Sequence, residues 1–300
     1  MKSYLFSLLD RLPISTDDRQ FFYRAGEQVF SADPGLLPQA VAIYYDSDFD
    51  AEQVTPLLER CAAATGISLH TLRLLLVACS AERMENTYRE RGYDPAMFTD
   101  FLRDLACKVG ECYRWRGEHG LDKISYWYPL FFRLKLFALG RLQYEIYQRP
   151  NVQHPITVGG HTVQPEDVVY FIHIPGLGPL TKELCMDSYR RAYTFFKDDF
   201  KDKPCVFYCT SWMLYERNRE FMSPDSNIVR FMSDFKIVKS FEVPEQKYWW
   251  VFDRPYEGDA SVLPRDSSLR RRMAEWLENG GKPGGGDGYF LFDGETIIND

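Results

Sequence analysis

The spacing of the apolar residues changes near residue 138, and no other feature of the sequence constrains the fold as strongly. Before this point apolar side chains recur at helical spacing, as they do after the candidate N-cap Ser68 and after Asp94 and Pro95. Beyond it, apolar and polar residues alternate with the period of a β-strand. We therefore predict an α+β protein with a helical domain over residues 1–122 and a sheet flanked by helices over residues 123–300.

The second domain contains segments rich in Val, Ile and aromatic residues, which are typical of strands. Five strands and a short hairpin are expected at residues 140–149, 167–174, 205–212, 236–243, 247–254 and 155–163. Near the C-terminus a glycine-rich stretch, GGKPGGG, has the composition of a flexible linker. It precedes a strand-like segment at residues 288–296.

A helix is predicted between the strands at 167–174 and 205–212. Thr181 is its expected N-cap, and Leu184, Ala192, Phe195 and Phe196 are expected to face the sheet. Two further helices are expected at residues 226–235 and 268–281.

Charge, apolar runs and cysteine usage exclude several classes of partner. The formal net charge is −7 and Lys and Arg are dispersed, which argues against nucleic-acid binding. The longest apolar run, LLLVACSA at 74–81, is far shorter than the ~18 residues of a membrane span. Seven cysteines without a C-x-x-C pair indicate a reducing compartment, and neither they nor the histidines show metal-binding spacing. We expect a cytoplasmic protein that binds no nucleic acid, membrane or metal.

The stretch VVYFIHIPGLGPLTKEL, residues 168–184, joins an apolar strand to a helix through Gly176 and Gly178. Both faces of the strand are apolar, so we expect it at the centre of a sheet. A strand, a G-x-G turn and a helix N-terminus bring backbone N–H groups and a positive dipole end to one point, where a pyrophosphate can bind. A plain chain reversal is the alternative, and Pro179 removes one N–H group.

Residues 173–178, HIPGLG, form a His-x-x-Gly-x-Gly motif that resembles the Gln/Arg-x-x-Gly-x-Gly/Ala phosphate loop of the GNAT superfamily of acyl-CoA-dependent acyltransferases. With LGRLQYE, CTSW and SPDSNIVRF, the chain looks like bacterial two-domain proteins that carry a helical N-acyltransferase N-terminal domain and a GNAT-like C-terminal domain. The resemblance implies a mixed sheet. It also implies transfer of an acyl group from acetyl-CoA or another acyl-CoA to an amine of a small molecule or peptide. The alternative is a non-catalytic module that retains this fold and binds acyl-CoA or protein.

The same resemblance assigns residues to the coenzyme. The central strand would align the pantetheine and the loop amides would hold the pyrophosphate, through Ile172, Ile174, Gly176, Leu177, Gly178, Leu180 and Thr181. Asn227, at the start of a predicted helix, is a further candidate for cofactor contact. Capping of that helix by Asp225 or Ser226 explains the segment without a ligand.

Direct acyl transfer to an amine needs a base, a donor for the developing oxyanion and an acid for the leaving thiolate. On the strand at 140–149, Arg141, Gln143, Glu145 and Tyr147 alternate onto one polar face. Glu145 is a candidate base, and Arg141 and Gln143 are candidate substrate-binding residues, with Arg141 holding Glu145 or a substrate carboxylate. Alternatively, the stripe is a solvent-exposed edge or a structural ion pair covered by the helical domain.

His173 is the second candidate base, because its unperturbed pKa of ~6.5 suits proton transfer near neutrality. A hydrogen-bonded core histidine is the alternative. Trp212 is a candidate for substrate contact, and Cys209 with His173 is considered as a covalent nucleophile, although no third partner can be assigned. The candidates for protonating the thiolate are Tyr208, Cys209 and Ser211.

Overall fold

The N-terminal helices begin at side chains that cap them. Ser68 accepts a hydrogen bond from the Thr71 amide and Asp94 accepts one from the Ala96 amide, as the sequence predicted. The computed structural model describes residues 1–148, 155–165, 167–200, 204–243 and 248–300. The helices of the N-terminal part are α1 (Lys2–Arg11), α2 (Thr16–Ala32), α3 (Leu36–Asp46), α4 (Ala51–Thr65), α5 (Leu69–Glu90), α6 (Pro95–Arg116) and α7 (Trp127–Phe132).

α5 lies at the centre of the helical part. Every side chain from Leu74 to Ala81 is buried, which explains why this segment is apolar all round. Among the described residues, no helix combines the length and apolar character needed to cross a membrane. The chain divides into two compact units, Met1–Ala138 and Leu139–Asp300. α7 therefore lies between the sequence-based boundary at residue 122 and the division seen in the structure.

The described strands form a mixed sheet and a separate hairpin. The sheet contains β1 (Leu136–Leu139), β2 (Leu142–Gln148), β5 (Val168–His173), β6 (Cys205–Ser211), β7 (Lys236–Glu242), β8 (Gly284–Phe292) and β9 (Ile297–Ile298). Their order is β1-β2-β5-β6-β8-β7, with β9 beside β8. β5 and β6 are parallel, whereas β2/β5, β6/β8 and β7/β8 are antiparallel. The hairpin consists of β3 (Ile156–Val158) and β4 (His161–Val163). The prediction of an α+β fold with a helical N-terminal part is confirmed.

α8 (Lys182–Phe200) packs an aromatic core against one face of the sheet. The ring of Tyr189 on α8 lies 4.9 Å from the ring of Phe290, and Phe207 lies 5.3 Å from Tyr144. These rings are fully buried, and burial of one such side chain stabilises the fold by about 1.5–3 kcal/mol. The opposite face, which we call the polar face, carries alternate residues of the same strands. The hairpin packs on part of it, with Val158 and Val163 in a cluster with Tyr208 and Tyr289.

The predicted orientation of α8 is wrong at one residue. Leu184 is 43% exposed, whereas Ala192 and Phe196 are buried and Phe195 is partly buried. Leu184 follows directly on the capped end, where the Thr181 hydroxyl accepts a hydrogen bond from its amide. Cys185 takes the inward position in this turn instead.

The segment at 247–254 was predicted as a strand and is not one. Its described residues contain a short helix, α10 (Trp249–Phe252). Tyr248, Val251 and Phe252, at helical spacing, pack into a cluster with Met273 of α11 (Ser268–Glu278). Contact with a neighbouring helix therefore overrides the β-propensity of a segment rich in aromatic residues. The remaining helix, α9 (Asn227–Met232), lies where it was predicted.

The prediction of a flexible glycine-rich linker is also wrong, because Gly284, Gly285 and Gly286 belong to β8 and are buried. A Cβ atom on Gly286 would lie 2.3 Å from the carbonyl oxygen of Leu214, and one on Gly284 would lie 2.3 Å from the ring of Tyr215. The 3₁₀ turn Trp212–Leu214 thus approaches β8 too closely for any side chain. The glycines are present for close packing and not for flexibility.

Candidate active site

The two parallel strands at the centre of the sheet part toward their carboxyl ends. The paired residues are Tyr170 with Phe207 and Phe171 with Tyr208. Both strands continue past these pairs, β5 as far as His173 and β6 as far as Ser211. Ligands of open α/β sheets bind at the carboxyl ends of strands, where backbone groups are left without a partner strand. The opening beside His173 is therefore a suitable place for an extended ligand.

Arg141 organises the loop that follows β5. Its guanidinium donates to the carbonyl oxygens of Pro175 at 2.9 Å, of Gly178 at 3.0 Å and of Pro179 at 3.0 Å. Arg141 is 8% exposed, so these bonds lie in a place that water barely reaches. Gly178 has φ +92°, which favours glycine over any other residue. One buried side chain in the turn just before β2 thus fixes the path of the loop.

This arrangement also determines where the loop amides point. In a trans peptide the C=O and the following N–H point in opposite directions. Because the Pro175 and Pro179 carbonyls face Arg141, the N–H groups of Gly176 and Leu180 point away from the guanidinium. Neither amide has a hydrogen-bond partner among the residues that the structure describes. Both are available to an anion.

The first turn of α8 adds charges next to this loop. Lys182 forms an ion pair with Asp234, a residue only 4% exposed, and Tyr189 also donates to Asp234. Burial raises the pKa of Asp234, against the opposing effect of Lys182. Glu183 is bonded to its own amide and to Thr181, which lowers its pKa. This end of the helix therefore carries both positively and negatively charged side chains.

Glu145 and His173 form a largely buried acid–base pair on the polar face. Glu145 Oε2 lies 2.8 Å from His173 Nε2, and the two side chains are 11% and 17% exposed. The register places Gln143 opposite His173 and Glu145 opposite Phe171, so all four side chains share one face. A hydrogen on Nε2 donated to the carboxylate leaves the lone pair on Nδ1. The pair thus has the composition of an oriented general base.

Gln143 presents a buried amide that has no partner in the described part of the chain. The residue is 1% exposed, and neither its Oε1 nor its Nε2 makes a hydrogen bond to the described residues. Leaving such a group unsatisfied costs about 1–3 kcal/mol. The amide can donate and accept at the same time, so it matches a ligand that carries both kinds of group.

A third polar group on this face joins β6 to β8. The Tyr208 hydroxyl lies 2.5 Å from Thr210 Oγ1, which donates to Asp287 Oδ1 at 2.8 Å. Thr210 and Asp287 are opposite each other in the register, and Asp287 is 4% exposed. Sequence reasoning missed Asp287 because it follows the three glycines assigned to a linker. An acidic residue two positions before the aromatic run of a strand was the available signal.

The other sequence candidates lie away from the polar face. Cys209 belongs to the face covered by α8, because side chains alternate along β6, and burial raises the pKa of its thiol. It is not brought together with His173. Ser211 accepts from the Met213 amide and so caps the 3₁₀ turn, and Trp212 packs on the α10 and α11 cluster. Asn227 is the first residue of α9, which Ser226 caps by accepting from Val229.

The remaining coenzyme candidates follow the path of β5 and its loop. Ile172 is buried, its pairing with Tyr144 puts its side chain on the α8 face, and Ile174 is partly buried. Gly176 is exposed, and Leu177 donates its amide to the Pro175 carbonyl at 2.8 Å. The structure therefore groups two sets of candidates: the loop residues with Arg141, and Gln143, Glu145, His173 and Tyr208 on the polar face. The side chain of Tyr147 is outside the described residues.

Comparison with known proteins agrees with this architecture. Residues 4–134 match the family model of the N-acyltransferase N-terminal domain, and residues 136–290 match that of the GNAT-like C-terminal domain. The chain belongs to this family of two-domain GNAT-like acyltransferase proteins. The resemblance inferred from HIPGLG and its flanking segments is thereby confirmed.

Solved structures show the same fold. One, an acyltransferase in complex with decanoyl-CoA and teicoplanin, is 22% identical with a TM-score of 0.68, covering 95% of this chain and 87% of that chain. Another, an acyltransferase in complex with decanoyl-CoA, is 23% identical with a TM-score of 0.67, covering 94% and 86%. Comparison with curated proteins finds no match.

Proposed function

We propose that the protein is an acyl-CoA-dependent N-acyltransferase that moves an acyl group directly from a coenzyme A thioester to an amine. The observation that carries the proposal is the Glu145–His173 pair, 2.8 Å apart and largely buried, beside the opening between β5 and β6. A base at this position is what a direct transfer requires, because an ammonium group must lose a proton before it can attack.

The coenzyme is assigned to the parted strands and the loop. Backbone groups of Ile172 to Ile174 would align the pantetheine. The amides of Gly176 and Leu180, which have no partner among the described residues, would meet the pyrophosphate. Gly178 and Thr181 shape the ends of this segment. The solved relatives bind acyl-CoA or coenzyme A, which supports the same class of ligand here.

In the proposed reaction His173 accepts a proton from the ammonium group, and Glu145 holds the imidazole and stabilises its charged form. The amine nitrogen then forms a bond to the thioester carbon while the bond from carbon to sulfur breaks. The nitrogen loses a second proton, and the thiolate takes one up to leave as free coenzyme A. The proton on His173 returns to solvent, so the net release is one proton.

The acceptor is a small-molecule or peptide amine. Two buried carboxylates, Glu145 and Asp287, give the polar face a negative character that favours a cationic group. Gln143 adds an amide that can bind a neighbouring polar group of the acceptor. One solved relative is bound to teicoplanin, which supports an acceptor larger than a simple alkylamine. A cytoplasmic location, where acyl-CoA is available, fits this proposal.

The first test is ligand stabilisation. Acetyl-CoA, octanoyl-CoA, decanoyl-CoA and coenzyme A are titrated into the protein while its melting temperature is followed. A ligand at a hundred times its dissociation constant adds about 2.7 kcal/mol to the free energy of unfolding. Gly178→Asp should abolish the shift, because the new carboxylate repels the phosphates and strains the loop. Gly280→Asp, also at positive φ and in open space, is the matched control and should keep it.

Turnover is measured as release of coenzyme A thiol with glucosamine, phenethylamine and glycylglycine as acceptors. Thiol release that depends on the amine supports the transferase. Stabilisation by acyl-CoA without amine-dependent turnover would favour the alternative, a module that binds acyl-CoA and does no chemistry.

A further inference from the structure

The hydroxyl of Ser188 on α8 joins the two ends of the tight turn between β1 and β2. It donates to the carbonyl oxygen of Leu139, the last residue of β1, at 2.5 Å, and accepts from the amide of Leu142, the first residue of β2, at 3.2 Å. The two residues between them are Gly140 and Arg141. A turn this short needs left-handed backbone, and Gly140 has φ +82°. The hydroxyl therefore holds the segment from which the Arg141 side chain projects.

The Ser188 hydroxyl is fully committed to these contacts. It has one hydrogen, which goes to the Leu139 carbonyl, so its contact of 3.0 Å with the Tyr144 hydroxyl is a donation from Tyr144. Serine hydroxyls inside helices commonly bond to the carbonyl four residues earlier, whereas this one bonds to the turn. Ser188 is 0% exposed, so water does not compete for its bonds. Removal of the hydroxyl would leave the turn groups buried without this partner.

Arg141 connects the turn to the phosphate loop. Its guanidinium donates to the carbonyl oxygens of Pro175, Gly178 and Pro179, which turns the loop amides away from it. The loop leads directly into α8, and Ser188 lies about two turns along that helix. A closed ring of contacts therefore runs from α8 through Ser188 to the turn, through Arg141 to the loop, and back to α8.

We propose that Ser188 is a positioning residue for the coenzyme, because it fixes the turn that aims Arg141 and thereby the loop amides that meet the pyrophosphate. The inference rests on the proposed acyltransferase function and deepens it at the coenzyme end of the site. Ser188 does not touch the ligand. Its effect on coenzyme binding passes through Arg141, and this route separates it from a residue that only supports the fold.

The route is tested by titration calorimetry of coenzyme A with wild type, Ser188→Ala, Arg141→Lys and the double variant. We expect Ser188→Ala to raise the dissociation constant about fivefold or more in the wild-type background. It should have little further effect once Arg141 is lysine, because residues that act through one network are not additive. An unchanged dissociation constant in Ser188→Ala, or effects that multiply fully in the double variant, would overturn the proposal.

Tyr144→Phe is the matched control, since it removes a hydrogen bond to the same hydroxyl and leaves both bonds to the turn in place. It should leave the dissociation constant of coenzyme A within about twofold of the wild-type value. A loss of affinity as large as that of Ser188→Ala would point to general loosening of the core and contradict the assigned role. Where Ser188→Ala does not fold, Ser188→Cys takes its place, because a thiol fills the same space as a weaker donor.

A measurement without ligand distinguishes the two levels of failure. In protein labelled with ¹⁵N-glycine, Ser188→Ala and Arg141→Lys should shift the amide resonances of Gly176 and Gly178, and Tyr144→Phe should leave them in place. If wild type binds no coenzyme A, the coenzyme site and the role of Ser188 in it fail together. If wild type binds it and neither the resonances nor the affinity respond to Ser188→Ala, the positioning role fails and the proposed function stands.

Discussion

Glu145 on β2 and His173 on β5 are not directly opposite each other; their side chains meet diagonally across the strand pair, with 2.8 Å between Oε2 and Nε2. The residue opposite His173 is Gln143, and the residue opposite Glu145 is Phe171. Gln143 lies on the same face of the sheet as this pair, so the amide and the candidate base share that face.

Removal of the acid–base pair should reduce acyl transfer without loss of the coenzyme. We expect His173→Ala to lower kcat/KM about a hundredfold and Glu145→Gln, which keeps the shape and removes the charge, at least about tenfold. The melting shift with decanoyl-CoA should remain. His161→Ala, an exposed histidine on β4, is the control and should behave as wild type. Full activity of both pair variants would show that neither residue is the base.

Arg141→Lys should weaken binding of coenzyme A. Lysine cannot reach three separate carbonyl oxygens with a planar fork, so the loop loses hydrogen bonds to a charged donor worth about 1.5–3 kcal/mol each. We expect the dissociation constant of coenzyme A to rise at least about tenfold, measured by titration calorimetry. Arg217→Lys, an exposed residue paired with Glu220, is the control. Equal affinity in both variants would show that the loop holds its shape without Arg141.

Gln143→Leu should separate stability from activity. The amide is buried and has no partner among the described residues, so replacing it with an apolar side chain should leave the melting temperature equal or higher. The KM for the amine should rise about tenfold. Asn218→Leu is the contrast, because Asn218 donates to the Trp212 carbonyl at 2.8 Å and its loss should lower the melting temperature. A clear loss of stability with Gln143→Leu would mean that the amide is part of the fold.

Asp234 should make the stability depend on pH in the acid range. Burial raises its pKa in the folded protein, so the folded state binds the proton more tightly than the unfolded chain does. Its favourable contribution is complete below the unfolded pKa of ~3.9 and is lost as pH rises through the folded pKa. The melting temperature of Asp234→Asn relative to wild type should therefore increase from pH 3.5 to pH 7. A constant difference over this range would contradict the burial effect.

Gly286→Ala should be more damaging than Gly285→Ala. The new methyl group on Gly286 meets the backbone carbonyl of Leu214 at 2.3 Å, whereas the one on Gly285 meets the end of the Phe241 side chain at 3.1 Å. A ring can move by a few tenths of an ångström and a buried backbone cannot. We expect at least about 2 kcal/mol between the two variants in chemical denaturation. Similar stabilities would show that the 3₁₀ turn can move.

The sequence alone predicted the elements whose signals are local. The caps Ser68, Asp94 and Thr181, the helical spacing before residue 138 and the alternation of β2, β5 and β6 all follow from neighbouring residues. The HIPGLG motif indicated the family to which the chain belongs. Each of these features is set by a few consecutive residues, so no tertiary contact was needed to recognise it.

Features that depend on contacts distant in sequence could not be predicted in this way. Arg141 contacts a loop 34 residues or more away, and Asp287 meets Thr210 across 77 residues. The helical state of Trp249 to Phe252 depends on α11, and the extended state of Gly284 to Gly286 depends on the turn at Leu214. Composition favoured a strand in the first case and a linker in the second, because it carries no information about the packing partner.

Arg141 donates hydrogen bonds to the carbonyl oxygens of Pro175, Gly178 and Pro179, so the phosphate-loop motif does not determine its own conformation. HIPGLG transplanted into another strand-to-helix turn would carry the glycines and lose the guanidinium that turns its carbonyls inward. Without these hydrogen bonds, nothing would orient the loop amides toward a ligand. A transplanted loop would also need the turn before β2, which carries Arg141.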